Sequence, residues 1–172
     1  MEGSNFVERI SASVSSAESL FLCCAAIRSC NRLEDGFFQG VPFRTLISEL
    51  YDYTLRSGQE NLQTEFIKAV TTSLLNRNIR NGSPRRYPKP DQVNCIRRII
   101  YNLGDTILLA KTGYGKSIVF QAVSVIRNRH VTIQVIPLSQ LGEEQVQTVS
   151  SFPWSNPILV DQTTPKVCLF YY

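Results

Sequence analysis

The stretch LLAKTGYGKS, residues 108–117, decides how the rest of the chain is interpreted. Residues 110–117 follow the pattern [A/G]-x-x-x-x-G-K-[S/T], which is typical of loops that bind nucleotide phosphates. Gly113 and Gly115 let the backbone adopt conformations that are closed to other residues, so that its N–H groups can approach phosphate oxygens. The alternative is a flexible loop that contains a lysine by chance.

The side chains of the pattern and the residues around it favour the phosphate-binding interpretation. Lys116 can reach the β- and γ-phosphates, and the hydroxyl of Ser117 can coordinate Mg²⁺. The run Thr106 to Ala110 has the composition of a strand that is buried on both faces, and residues with helical spacing follow the loop. We therefore predict six ATP-binding residues in the loop, namely Thr112, Gly113, Tyr114, Gly115, Lys116 and Ser117.

The region after residue 90 alternates between strand-like and helix-like segments. VTIQVI, residues 131–136, and PILVD, residues 157–161, are apolar and rich in β-branched residues, which favours strands. Helical patterns separate them, at 116 to about 127 and at 139 to about 149. This alternation predicts an α/β fold, with a partial parallel sheet of the P-loop type.

The region before residue 80 has a purely helical pattern. Apolar residues recur every three or four positions from residue 4 to about 30, from Pro42 to Ser57, and over residues 62–74, which predicts three helices. We predict a helical region at 1–80, a basic linker rich in proline and glycine at 81–90, and a partial P-loop domain at 91–172.

Charge and cysteine content limit the function classes. The formal net charge is only +4, but seven of the 18 basic residues lie between Arg77 and Arg98. This basic run could meet phosphates, or it could be a solvated linker and helix face. The five cysteines form no C-x-x-C pair and His130 is the single histidine, so we expect no zinc site. We expect no membrane span and an intracellular protein with reduced thiols.

PDQVNCIRRIIYNLGDTILLAKTGYGKSIVFQA, residues 90–122, resembles the opening of a RecQ-like helicase of the DEAD/DEAH superfamily 2 group. In that family a glutamine upstream of the loop reads the adenine edge. Gln92, which stands 24 residues before Lys116, matches it, and Tyr87 or Lys89 could flank the adenine ring. VIPLSQLGEEQ, residues 135–145, resembles the segment that touches a nucleic-acid backbone, which assigns Pro137, Leu138 and Gln140 to that role.

The resemblance spans residues 85 to about 165 and implies ATP and Mg²⁺ as cofactors, a DNA or RNA backbone as partner, and the nucleus as location. It also implies a later acidic D-E-x-[HD] box, which is needed for hydrolysis, and no such sequence follows Lys116. Glu143, Glu144 and Asp161 are poor substitutes for it. We therefore expect the first portion of a helicase motor, which binds ATP without hydrolysing it or unwinding DNA, and we assign no catalytic residue.

Two other function classes remain open. The chain could belong to another P-loop NTPase or nucleotide kinase, although no acceptor site or arginine-rich lid is visible after residue 130. It could also be an interaction module without chemistry.

The predicted α/β fold also has a consequence for association between chains. An incomplete parallel sheet leaves an apolar edge, and KVCLFYY, residues 166–172, adds a β-prone segment. We expect self-association through that edge.

Overall fold

A computed structural model describes residues 14–79, 83–127, 130–136 and 139–160. Helices α1, α2 and α3 span Ala17–Ser29, Phe43–Ser57 and Glu60–Leu75. They confirm the three helices predicted before residue 80. The first begins later than predicted, because the Ser16 hydroxyl caps it by accepting a 3.1 Å hydrogen bond from the Ser19 N–H. Residues 4–13 of the predicted helix lie outside the described part.

A short hairpin that the sequence pattern did not predict precedes α2. A 3₁₀ turn at Leu33–Asp35 leads into β1, Phe37–Phe38, which pairs antiparallel with β2, Val41–Pro42. The two turn residues, Gln39 and Gly40, both have positive φ angles, 52° and 82°. This is the backbone of a tight two-residue hairpin turn, which matches the twist of the strands.

Three further helices follow the linker. Helix α4 spans Pro90–Ile100, α5 spans Ser117–Ile126 and α6 spans Ser139–Ser150. Helices α5 and α6 lie close to their predicted ranges. Helix α3 packs against α1, α2, α4 and α5, and α4 packs against α5. The apolar core is therefore continuous from the first three helices into the pair that flanks the loop.

Polar contacts also join the first three helices to α4 and α5. The Tyr51 ring of α2 stacks on Tyr101, which follows α4, with 5.7 Å between ring centroids. The Tyr101 hydroxyl shares a 2.5 Å hydrogen bond with the Thr54 hydroxyl. At the end of α5, Arg127 donates to the Tyr51 hydroxyl at 2.6 Å. These contacts fix the position from which α5 and its preceding loop start.

The predicted parallel sheet is wrong. Across the described residues, the only strand pairing is the hairpin of β1 and β2, and the protein is otherwise built from helices. The segments 106–110, 131–136 and 157–160 have no strand assignment. Many of their apolar side chains face solvent, with Leu109 90%, Ile133 86% and Val135 92% exposed, whereas Leu108 is half-buried against the core.

The physical reason for this error is that β propensity is a local signal, whereas a sheet is a set of non-local contacts. A strand is stable only when its N–H and C=O groups pair with a neighbour and one face is buried. Pairing segments separated by about 20 residues also carries a loop-closure cost. The amino-acid composition marks these segments as strand-like, but it does not specify which segments would pair with each other.

No helix in the described ranges is long and apolar enough to cross a membrane.

Candidate phosphate-binding loop

The predicted loop joins an extended segment to the N-terminus of α5. Gly113 and Gly115 have φ angles of 77° and 86°, a region that favours glycine. A Cβ atom at residue 113 would point into open space, whereas one at 115 would lie 3.1 Å from Gln92 Nε2. Both glycines therefore have the conformational role that the pattern predicted, and Gly115 has a steric role as well.

Gln92, in the first turn of α4, holds the loop from one side. Its side chain is buried, and its Nε2 donates to the carbonyl oxygens of Tyr114 and Gly115 at 3.1 and 3.0 Å. Its Oε1 accepts from the Lys89 N–H at 2.8 Å. Both amide protons are thus engaged by the loop. Adenine reading by Gln92 stays a prediction, and these contacts give the residue a second role that the sequence did not reveal.

The Gln92 contacts determine where two loop amides point. In a trans peptide unit the C=O of one residue and the N–H of the next point in opposite directions, and no cis peptide occurs in the described residues. Since the Tyr114 and Gly115 carbonyls point at Gln92, the N–H groups of Gly115 and Lys116 point away from it. Two successive N–H groups aimed to one side form a concave anion-binding arrangement.

Four backbone donors of the loop are free for a ligand. Within the described residues, the N–H groups of Gly113, Gly115, Lys116 and Ser117 donate to no protein acceptor. The Tyr114 N–H, by contrast, bonds to the Lys111 carbonyl at 3.2 Å. The free donors lie at the start of α5, where the helix dipole also favours an anion.

Lys116 and Ser117 lie at the junction between the loop and α5. Lys116 Nζ turns back onto the loop, donating to the carbonyls of Ala110 at 2.8 Å and Lys111 at 3.0 Å. These neutral acceptors hold the ammonium group beside the loop, and it has no acidic partner among the residues that the structure describes. Ser117 is the first residue of α5, so its hydroxyl is next to the free amides.

Tyr114, between the two glycines, contacts the first turn of α4 through its whole side chain. Its hydroxyl donates to Asp91 Oδ2 at 3.0 Å, and Lys89 Nζ lies 3.9 Å from the ring centroid. Lys89 Nζ also donates to the Tyr114 carbonyl at 3.1 Å. The hydroxyl is a donor at neutral pH because the pKa of a tyrosine is ordinarily about 10, and desolvation and the hydrogen bond to Asp91 raise the pKa of Tyr114 further.

Most of the predicted basic run is used inside the protein. Arg77 makes two 2.6 Å hydrogen bonds to Glu34, and Arg97 pairs with Glu60 at 3.1 Å. Arg98 bonds to Thr106 Oγ1 and the Asp105 carbonyl, and Arg85 to the Arg28 carbonyl. In the described part of the linker, the exposed basic residues are Arg85, Arg86 and Lys89. Much of this charge is therefore paired or hydrogen-bonded within the protein and is not free to meet a phosphate.

The remaining predicted residues fall at the edge of the described part. Pro137 and Leu138 lie outside it, and only the backbone of Gln140 is described, in the first turn of α6. Glu143 and Glu144 are exposed on α6. In the ranges that are described, no cluster of three histidine, cysteine or acidic residues could hold a metal ion.

Comparison of the chain with models of protein families, with curated proteins and with solved structures gave no match.

Proposed function

We propose that this chain binds ATP through the loop at 111–117, as the nucleotide-binding portion of a RecQ-like DNA helicase. The observation that carries the proposal is the orientation of the loop amides. Gln92 aims the N–H groups of Gly115 and Lys116 to one side, and these groups have no protein acceptor in the described residues. Free, convergent donors at a helix N-terminus suit a phosphate group.

The residues present fit a triphosphate with its Mg²⁺. The space next to Gly113 is open, so a phosphate can approach the backbone there. Lys116 would exchange its two loop carbonyls for phosphate oxygens, which are charged and therefore stronger acceptors. Ser117 would supply a hydroxyl to Mg²⁺, which when bound neutralises phosphate charge.

Nucleic-acid contact is the second part of the proposal, supported by the exposed Arg85 and Arg86 and by the resemblance over 135–145. Such contacts would be made to the backbone, so they would depend on salt and not on base sequence.

A titration with a fluorescent ATP analogue and Mg²⁺ tests the first part. We expect saturable binding by the wild-type chain and a loss of at least tenfold in affinity in Lys116→Ala, with helical circular dichroism unchanged. Lys68→Ala removes an exposed lysine from α3 and serves as the matched control, with wild-type affinity expected. A folded wild-type chain that binds no nucleotide would refute the proposal.

Retention on single-stranded DNA at low salt tests the second part. We expect binding that weakens steeply as salt increases and that drops in the double substitution Arg85→Ala, Arg86→Ala. Equal retention of this variant and the wild-type chain would remove the linker from the nucleic-acid surface. Retention that is insensitive to salt would contradict a backbone contact.

A further inference from the structure

The loop carries an aromatic residue whose contacts are more numerous than the phosphate-binding pattern requires. Any residue is allowed between the two glycines, yet Tyr114 makes four contacts with the start of α4. Its hydroxyl bonds to Asp91, its ring lies under Lys89 and its carbonyl accepts from Lys89 and Gln92. Most of the contacts between the loop and the start of α4 are therefore made by Tyr114.

The side-chain contacts of Tyr114 support the carbonyl contacts that orient the amides. Gln92 holds the carbonyls of residues 114 and 115, but a glycine on each side leaves the backbone free to rotate. The bond from the Tyr114 hydroxyl to Asp91 restrains residue 114 at a second point, on the same turn of α4. Attachment through both the carbonyl and the side-chain hydroxyl restricts rotation of the peptide planes at residue 114 more than the carbonyl contact alone does.

We propose that Tyr114 and Asp91 are positioning residues for the phosphate-binding loop. They hold the N–H groups of Gly115 and Lys116 in the orientation that a triphosphate needs, without touching it. This inference rests on the proposed function, and its physical content is preorganisation. A loop that is already ordered loses less conformational freedom when the ligand binds.

The variants for this test separate the hydroxyl–carboxylate bond from other effects. Tyr114→Phe keeps the ring under Lys89 and removes only the hydroxyl. Asp91→Ala removes the acceptor, whereas Asp91→Asn keeps an acceptor oxygen and is expected to rescue binding. The control pair on α2 is Asp52→Ala with Tyr53→Phe, which makes the same chemical changes away from the loop.

We expect Tyr114→Phe and Asp91→Ala each to weaken ATP binding by about three- to tenfold, which is the typical net contribution of one hydrogen bond. The double variant is expected to lose no more than either single variant, because both remove the same bond. Inorganic tripolyphosphate is expected to lose affinity by the same factor as ATP. A loss confined to ATP would mean that Tyr114 touches the base, and it would overturn the positioning role.

Hydrogen exchange of the nucleotide-free protein keeps this test separate from the proposed function. We expect the Tyr114 amide, which bonds to the Lys111 carbonyl, to exchange several-fold faster in Tyr114→Phe and Asp91→Ala than in wild type. If the wild-type chain binds no nucleotide, the ATP proposal fails and exchange alone decides the positioning role. Unchanged exchange in both variants, like unchanged affinity in them, would overturn it.

Discussion

Helix α3 and the segment 131–136 are both rich in apolar residues, but only the helix is buried. Phe66 and Ile67 of α3 are fully buried, whereas Ile133 and Val135 are almost fully exposed. A helix satisfies its backbone hydrogen bonds within itself, so α3 needs partners only for its side chains. A strand needs a partner for its backbone as well, and the segment has none among the described residues. A local apolar pattern is therefore sufficient to predict a helix, whereas local β propensity is not sufficient to predict a strand.

The largest effect we expect contrasts these two regions directly. Phe66→Ala removes the largest fully buried side chain and should lower the free energy of unfolding by about 3–5 kcal/mol. Ile133→Ala removes an exposed side chain and should change it by less than about 0.5 kcal/mol. Urea unfolding followed by far-UV circular dichroism measures both. A cost above about 2 kcal/mol for Ile133→Ala would show that the segment is buried in solution.

The next largest effect is expected in the loop at 111–117, which joins the extended segment 106–110 to α5. Gly113→Ala should cost about 1–2 kcal/mol of loop stability, because its φ angle is unfavourable for a residue with a Cβ. Gly115→Ala carries the same cost and also places its Cβ 3.1 Å from Gln92 Nε2. We expect the Gly115 variant to lose more affinity for ATP than the Gly113 variant. The reverse order would contradict the role of Gln92 in holding the loop.

A smaller effect is expected in the pH dependence of stability, through the Glu34 carboxyl in the helical region. Burial alone would raise the pKa of the Glu34 carboxyl, but hydrogen bonds from Arg77, from the backbone and from Arg32 hold it below its ordinary value. This stabilisation is fully present above the unfolded-state pKa of about 4.3, and it is lost as pH falls through the lowered folded value. The Tm difference between wild type and Glu34→Gln should therefore shrink on acidification from pH 7 to pH 3. A constant difference would exclude this linkage.

The smallest effect on stability is expected for Ile133→Lys, which should instead change self-association. The exposed apolar segments replace the sheet edge as the surface for the predicted association, since no such edge is present in the described residues. A lysine in an unpaired strand-like segment opposes pairing with another chain. Light scattering over a concentration series should show a lower mean mass for the variant. A wild-type chain that stays monomeric at high concentration would contradict the prediction.

The sequence predicted the helices because their signals are local. Helix α2 ends where Ser57-Gly58 indicated, with Gly58 in the left-handed region at φ 63°. The hairpin was missed because Gln39 is an unusual residue for a positive φ angle, so the turn lacked its common Asn-Gly signal. The parallel sheet was wrong because three apolar runs specify no pairing. Pairing depends on residues far apart in the chain.

In the candidate site, too, the sequence indicated the local pattern but not the contacts between residues far apart in the chain. The glycines, Lys116 and Ser117 follow a fixed local pattern, and the structure gives both glycines positive φ angles and begins α5 at Ser117, without the strand expected before the loop. Gln92 contacts the loop and Tyr114 contacts Asp91 of α4, and each of these contacts joins residues more than 20 positions apart in the sequence. The available signal was Gln92 at a fixed distance before the loop, and it pointed to adenine alone. An aromatic residue between two glycines carried no pattern that indicated its partner on α4.

Hydrogen exchange with and without ATP and Mg²⁺ tests most directly whether a triphosphate loop forms on α4 without a parallel sheet. We predict that amides 113–117 gain protection on ATP addition in wild type but not in Lys116→Ala. We also predict that 131–136 exchange rapidly in both states while α3 stays protected. Protection of 131–136 equal to that of α3, with no response of the loop to ATP, would contradict the account.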